Sequence, residues 1–422
     1  MVRAAALAVL ALTACTEIEP FRCERDAECG DRGRCEESGA CSFADASCHG
    51  GRRYGAYGDP SLVAACVGDE TGAIAALAAG SEHTCARGDD GVAWCWGSNA
   101  QGGLGFGDVA MASAPRAVDG VGGVVDLDGG QDDTCAVAGG RVWCWGAGDQ
   151  GQLGDGGDRD RTAPVAAAIA GDDVVEVEVG DRHACARSAA GAIRCWGAND
   201  DGERGDDDKD DDALARRPVA MPPARALSAG SRHVCARVDG GAVWCWGRNQ
   251  RGQLGRPGRG RGAPAPVPGF DGAVGVAAGG EHTCAWFADG SARCTGDNQR
   301  GQLGDGGTAD RDAPAAVVGL GGVVEMALLD QATCARRAGG DVVCWGQGGD
   351  GQLGGGAGDR TVPAQPVALP RPAIALTAGQ RHACALTDDG CAWCWGADGF
   401  GQLGDGAGDG TGAVRPVLLA CR

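Results

Sequence analysis

Lysine is nearly absent from this chain. Lys209 is the only one in 422 residues, and the formal net charge is −20. Neutralising phosphate takes clustered lysine and arginine, so the deficit argues against nonspecific binding to nucleic acid or anionic lipid. Long apolar runs are missing too, since the stretch from Ala4 to Leu12 is too short to span a bilayer. The paired cysteines lack the C-x-x-C doublets of zinc sites. There is no Ser/His/Asp or Cys/His constellation, no phosphate-cradling loop and no carboxylate pair on a convincing scaffold. That points away from an enzyme and from any cofactor.

What is present is glycine, tryptophan and cysteine. Glycine (79) and proline (17) make up nearly a quarter of the chain, yet 43% of residues are hydrophobic and eleven are tryptophan. A turn-rich all-β protein fits this better than disorder. Twenty-three cysteines imply an oxidising compartment. At the N-terminus Arg3 precedes the apolar run, and "LTAC" closes it at Cys15. That tetrapeptide resembles a bacterial lipobox, which implies cleavage before Cys15 and acylation of its thiol and amine, a durable anchor of several chains. The expected segments are a signal peptide over 1–14, a cysteine-rich stalk over 15–50, a linker and ring-closure segment over 51–67, and a propeller over 68–422.

The propeller expectation comes from repetition. Cys85, Cys135, Cys185, Cys235, Cys284, Cys334 and Cys384 recur at spacings of 50, 50, 50, 49, 50 and 50. Their partners in the pattern are Cys95, Cys144, Cys195, Cys245, Cys294, Cys344 and Cys394. Each unit reads G-x-x-H-x-C-A, a short turn, an alternation into C-W-G, then x-N-x-x-G-Q-L-G, a polar loop and P-V. Four short strands per unit and a period near 50 indicate a β-propeller of seven blades.

The motif resembles the regulator of chromosome condensation family, whose seven-bladed propellers carry H-t-l-a-L, a glycine turn, v-y-t-W-G and G-Q-L-G. The resemblance runs from about Gly68 to Cys421, and GQLG is intact at Gly151–Gly154, Gly252–Gly255, Gly301–Gly304, Gly351–Gly354 and Gly401–Gly404. Departures are "GGLG" in the first unit, "GERG" in the third, Thr295 for the C-W-G tryptophan, and Asp133 and Ala332 for the histidine.

In the family pattern the two cysteine positions lie on neighbouring strands of one hairpin. Between Cys135 and Cys144 a two-residue primed turn at Gly139 and Gly140 sets the cysteines opposite one another. Opposed residues have Cβ atoms about 4.5–5.5 Å apart, within reach of a disulfide. The other six units add one turn residue, which a three-residue loop or a bulge absorbs. Alternation puts Cys95 on one face and Trp94 and Trp96 on the other, so stacking should set tryptophan against the next blade's disulfide. Outside the hairpins Cys23, Cys29, Cys35, Cys41 and Cys48 form a stapled stalk of unreadable connectivity. Joining the chain ends brings Cys66 to Cys421, an expected seam disulfide, and leaves Cys391 for a stalk cysteine. Setting aside Cys15 and the fourteen hairpin cysteines leaves eight, an even number that permits no free thiol.

Histidines His83, His183, His233, His282 and His382 read as blade framework rather than a metal ring. Cys391-x-x-Cys394 has redox spacing but lies in a strand, and Cys394 already has a hairpin partner. The acidic loop Gly205–Asp212 lacks the ligand spacing of calcium loops. In the next blade Arg248, Arg251, Arg256, Arg259 and Arg261 occupy the matching loop, as an anion site or as its attractive counterpart. No metal is expected.

The position before the histidine varies in charge: Glu82, Asp132, Arg182, Arg232, Glu281, Gln331 and Arg381. The resemblance implies that this turn lies on a face where partners bind. One residue earlier stand Ser81, Gln131, Asp181, Ser231, Gly280, Asp330 and Gln380. The family's plant ultraviolet photoreceptors carry tryptophan there, so light sensing by that route is excluded. The expectation is a monomeric, lipid-anchored envelope protein, bound to the membrane through its anchor only. Its propeller recognises a protein or glycan, with Arg182 and Arg232 contributing most. A structural surface or coat component is the rival reading. Guanine-nucleotide exchange fits an exported chain poorly.

Overall fold

The structure is a computed structural model. It describes residues 73–107, 109–169, 171, 173–206, 217–355, 358–363, 366–408 and 413–419, with the backbone of three short strands before them. The chain divides into two compact units, Met1–Asp69 and Glu70–Arg422. In the first, strands Arg34–Cys35, Cys41–Ala44 and Arg52–Tyr54 form an antiparallel sheet in which Cys35 stands opposite Cys41. Cys15, Cys23, Cys29, Cys48, Cys66 and Cys421 lie outside the described residues, and with them the acylation site and the Cys66–Cys421 seam.

The second unit is the all-β, seven-bladed propeller. In the first blade strands Ile74–Ala79, His83–Gly88, Ala93–Ser98 and Met111–Ala117 follow one another antiparallel from the axis outward. Five blades show four strands. The third (Val174–Gly197) and sixth (Val323–Gly346) show three among the described residues, short of the expected four. Beyond the third strand of the sixth blade the single bridge Gly346–Arg360 forms.

All seven cysteine pairs face each other in register and are bonded, with Cα atoms 4.0–4.2 Å apart. In the second blade Gly139 and Gly140 take φ of 60° and 76°, the left-handed pair of a type I′ turn. Elsewhere one further residue enters the turn, and the register of Cys85 opposite Cys95 survives.

Tryptophans Trp96, Trp145, Trp196, Trp246, Trp345 and Trp395 are fully buried between blades. Trp145 packs with Cys85 and Cys95, and Trp345 with Cys284 and Cys294. The contact therefore runs to the preceding blade's disulfide, the reverse of the expected order. Strand alternation separates the two faces, but the handedness of the ring decides which neighbour each face meets. In the fifth blade, where Thr295 replaces tryptophan, Phe270 fills the space beside Cys235 and Cys245 and is 0% exposed.

Every blade is built from one continuous stretch of chain, so no blade combines the two ends. The ring closes by packing: Ile74, Ala86 and Trp96 of the first blade share a core with Cys384, Leu386 and Cys394 of the seventh.

Candidate functional site

The repeat motif builds a buried polar relay between blades. His83 Nε2 lies 2.8 Å from Thr134 Oγ1, and Thr134 Oγ1 donates to the Gly103 carbonyl at 2.8 Å. Trp145 Nε1 donates to the same carbonyl. Because the threonine proton is committed to the carbonyl, the histidine must donate through Nε2–H. The same chain links His233 to Thr283, His282 to Thr333 and, across the seam, His382 to Thr84. Burial depresses these histidines to about 3 or 4, so they are neutral framework residues. The loop asparagine adds its own lock: Asn99, Asn249 and Asn298 accept from the N–H of Leu104, Leu254 and Leu303 at 2.9–3.0 Å.

Three junctions lack the relay. Ala332 meets Ala383, and His183 meets Val234, leaving His183 Nε2 unpartnered. Asp133 meets Ala184 and is buried with neither carboxyl oxygen hydrogen-bonded. Burial, with Asp132, Asp128 and Asp181 nearby, pushes its carboxyl well above the ordinary range. A raised acid stabilises the fold below its unfolded value and loses that contribution as pH climbs through the folded one. Replacing Asp133→His together with Ala184→Thr should rebuild the relay and stabilise by about 1–3 kcal/mol. Thermal melts should show the gain growing from pH 4 to pH 8; a gain that shrinks over that range would contradict the assignment.

This framework fixes the backbone of the candidate ring in every blade. The carbonyls of Glu82, Asp132, Arg182, Arg232, Glu281, Gln331 and Arg381 each accept from the N–H just beyond C-W-G, or C-T-G in the fifth blade, at 2.8–3.0 Å. The backbone is constant and the side chain is free to vary. Arg182, Arg232 and Arg381 are exposed, whereas Glu82, Asp132, Glu281 and Gln331 are half-buried.

The acidic sector is real and wider than the ring itself. Burial and then Asp132 raise Glu82, while burial and then Asp160 and Asp149 raise Asp132. The basic sector is partly neutralised by residues the motif does not mark. Arg232 pairs with Asp201 at 3.5 Å and Arg381 with Asp350 at 3.9 Å, whereas Glu281 sits between Arg248 and Arg251. No ion pair to Arg182 occurs among the described residues. Asp201, Arg251 and Asp350 all sit just before G-Q-L-G or its variant, so that loop belongs to the same face. A sequence signal was available there, in the charges preceding that motif.

The guanidinium groups of the arginine loop are bonded within the protein, Arg248 and Arg251 to carboxylates and the others to backbone carbonyls. Arg256 donates to the carbonyls of Cys245, Ala265 and Ala263, and Arg259 to that of Gln250. Arg261 reaches the third blade at the Asn199 and Asp206 carbonyls, which favours attraction between neighbouring loops. Residues 207–212 of the acidic loop lie outside the described residues. Cys394 is bonded to Cys384, so it forms no redox pair with Cys391, which is itself disulfide-bonded.

A family model for the RCC1-like domain matches residues 140–421, and one for the regulator of chromosome condensation repeat matches residues 74–102. Among solved structures the chain is similar to human WBSCR16, with 20% identity, 78% of this chain and 94% of that one covered, and a TM-score of 0.71. It is similar also to yeast RCC1 (Prp20) solved bound to Kap60, with 19% identity, coverage of 89% and 94%, and a TM-score of 0.67. A second Prp20p structure, from Saccharomyces cerevisiae, described with its binding to Gsp1p and histones, gives 19%, the same coverage and 0.65.

Proposed function

The chain belongs to the RCC1-like family, and on that footing we propose that it is a non-catalytic protein-recognition scaffold, exported and anchored to the cell envelope through Cys15. The observation that carries this reading is the ring before the histidine. Its backbone is held identically in seven blades while its side chains change sign, which a purely structural ring would not require. Charge laid out in sectors steers and orients a partner more than it adds raw affinity. The arginines suit carboxylates because guanidinium contacts are bidentate. The yeast propellers of similar fold bind proteins, which supports a protein partner over a glycan. Seven buried disulfides fit an oxidising compartment.

The test uses the oxidised chain carrying Cys15→Ala, which should take up no acyl group, as bait in envelope extract. One recurrent protein, absent from a denatured control, is the expected result. Recovery of nothing selective favours the structural-component reading, and acylation of the variant contradicts the anchor.

A further inference from the structure

The candidate face carries a second ring, formed by the residue just before G-Q-L-G or its variant, from Gln101 in the first blade to Phe400 in the seventh. Its members meet two neighbours from the following blade. One neighbour is the residue before the histidine: Asp201 meets Arg232 at 3.5 Å, Arg251 meets Glu281 at 3.4 Å and Asp350 meets Arg381 at 3.9 Å. The other heads the outermost strand. Arg251 meets Asp310 at 3.2 Å, and Arg300 meets Asp359 at 3.3 Å. At four junctions in succession, from the third blade to the seventh, a charge in this ring is thus answered by an opposite charge within the protein.

The junction that closes the ring breaks this pattern. Phe400 of the seventh blade stands where the arginines stand, and Met111 of the first blade stands where Asp310 and Asp359 stand. Register fixes the equivalence. Ala112 lies opposite Gly97 as Arg311 lies opposite Gly296, and Met111 and Asp310 each come one residue earlier. A Cβ on Gly401 would fall 2.6 Å from the Ser113 Cα, as one on Gly301 would fall 2.7 Å from the Thr361 Cα. Two apolar side chains replace an ion pair.

Both are open to solvent, Phe400 at 41% and Met111 at 44% exposure, and among the described residues no other aromatic side chain is so exposed. The turn beneath Phe400 is nonetheless rigid. Its N–H donates to Gln402 Oε1 at 3.0 Å, as the N–H of Arg251 and of Arg300 donates to the matching glutamines. Glu82 completes the junction, in the place of Arg232, Glu281 and Arg381, and its carboxylate makes no ion pair among the described residues. We propose that this seam anchors the protein partner through one arginine, whose guanidinium meets the Glu82 carboxylate while its stem and planar face lie on Phe400 and Met111. The inference rests on the partner-recognition reading above and gives that reading a place and a chemistry.

An arginine satisfies both halves of the seam. Its planar fork offers paired donors to a carboxylate and stacks on an aromatic face, which a lysine's compact charge does only in part. An apolar side chain would cover Phe400 and leave Glu82 buried without a partner, at a cost. Glu82 is already half-buried, so part of the desolvation that an ion pair costs is spent before the partner arrives. The surrounding charge agrees in sign. Asp132 faces Glu82, and Asp149 and Asp160 face Asp132, whereas the cation that faces Glu82, Arg381, is already paired with Asp350. Exposed aromatic and arginine contacts of this kind carry a large share of binding energy at protein interfaces.

Selection of a random-peptide phage library on the oxidised full chain carrying Cys15→Ala tests the seam without the envelope partner. Arginine should be enriched among the selected peptides. The commonest of them, synthesised with a fluorescent label, should bind about tenfold more weakly to the variant Glu82→Gln with Phe400→Ser. Asp119→Asn with Val125→Ser removes the same kinds of group from the far ends of the blades and should change nothing. If the seam variant fails to melt cooperatively, Phe400→Ser alone replaces it, with an expected loss of about threefold. Selection without arginine enrichment, equal binding by parent and seam variant, or equal loss in the far-end variant overturns the seam. Failure of envelope capture while arginine peptides still bind strikes the exported-partner reading instead, so the two failures are distinguishable.

Discussion

Reduction of the hairpin disulfides is expected to unfold the propeller. Each bridge closes a loop of about ten residues, worth roughly 2–3 kcal/mol in the chain-entropy model. Seven together reach on the order of 15–20 kcal/mol, against a typical domain stability of about 5–15 kcal/mol. The bridged cysteines are 0–5% exposed, so a reductant reaches them only after the blades open. Loss should therefore be slow in native buffer and rapid in mild denaturant. It should carry the fluorescence of the buried tryptophans to the red. A reduced and alkylated chain that keeps its native circular dichroism and its melting midpoint would show that the bridges brace nothing.

The second large effect is expected at Phe270, a residue outside the repeat motif. It is fully buried against the fourth blade's disulfide, where the other junctions place tryptophan, and Thr295 reaches different carbonyls from the tryptophans, those of Gly252 at 3.0 Å and Arg311 at 2.9 Å. Phe270→Ala should cost about 3–5 kcal/mol, as much as Trp345→Ala at an ordinary junction. Denaturant unfolding of both variants checks the equivalence. A Phe270→Ala cost below about 1 kcal/mol would mean that the gap left by Thr295 is not what Phe270 fills.

These two sites mark how far the sequence could be read. The hairpin cysteines were legible because register follows from turn length, and Gly139 with Gly140 fixed it in the one blade with the short turn. The histidines were legible as framework because the family that the motif resembles keeps histidine at this place, three residues after a glycine, as five of the seven units do. Phe270 was not, because the compensation crosses from a loop to a strand 25 residues later. The order of the tryptophan contacts depends on ring handedness, which no strand alternation encodes. On the partner face the ring position was visible from its varying charge. Its ion pairs to Asp201 and Asp350 join adjacent blades, so they need the blade geometry.

The central claim is that a protein partner reads this face. Among the described residues Arg182 is exposed without an ion pair, and Arg232 pairs with Asp201 alone in a half-exposed contact. Such pairs contribute about 0–1 kcal/mol, so changing both arginines should hardly disturb the fold. The decisive measurement compares capture of the envelope partner by the unchanged face and by the double variant Arg182→Glu with Arg232→Glu, alongside their melting curves. The account predicts that the variant loses the partner and melts within a few degrees of the parent. Undiminished capture by a normally folded double variant would contradict it.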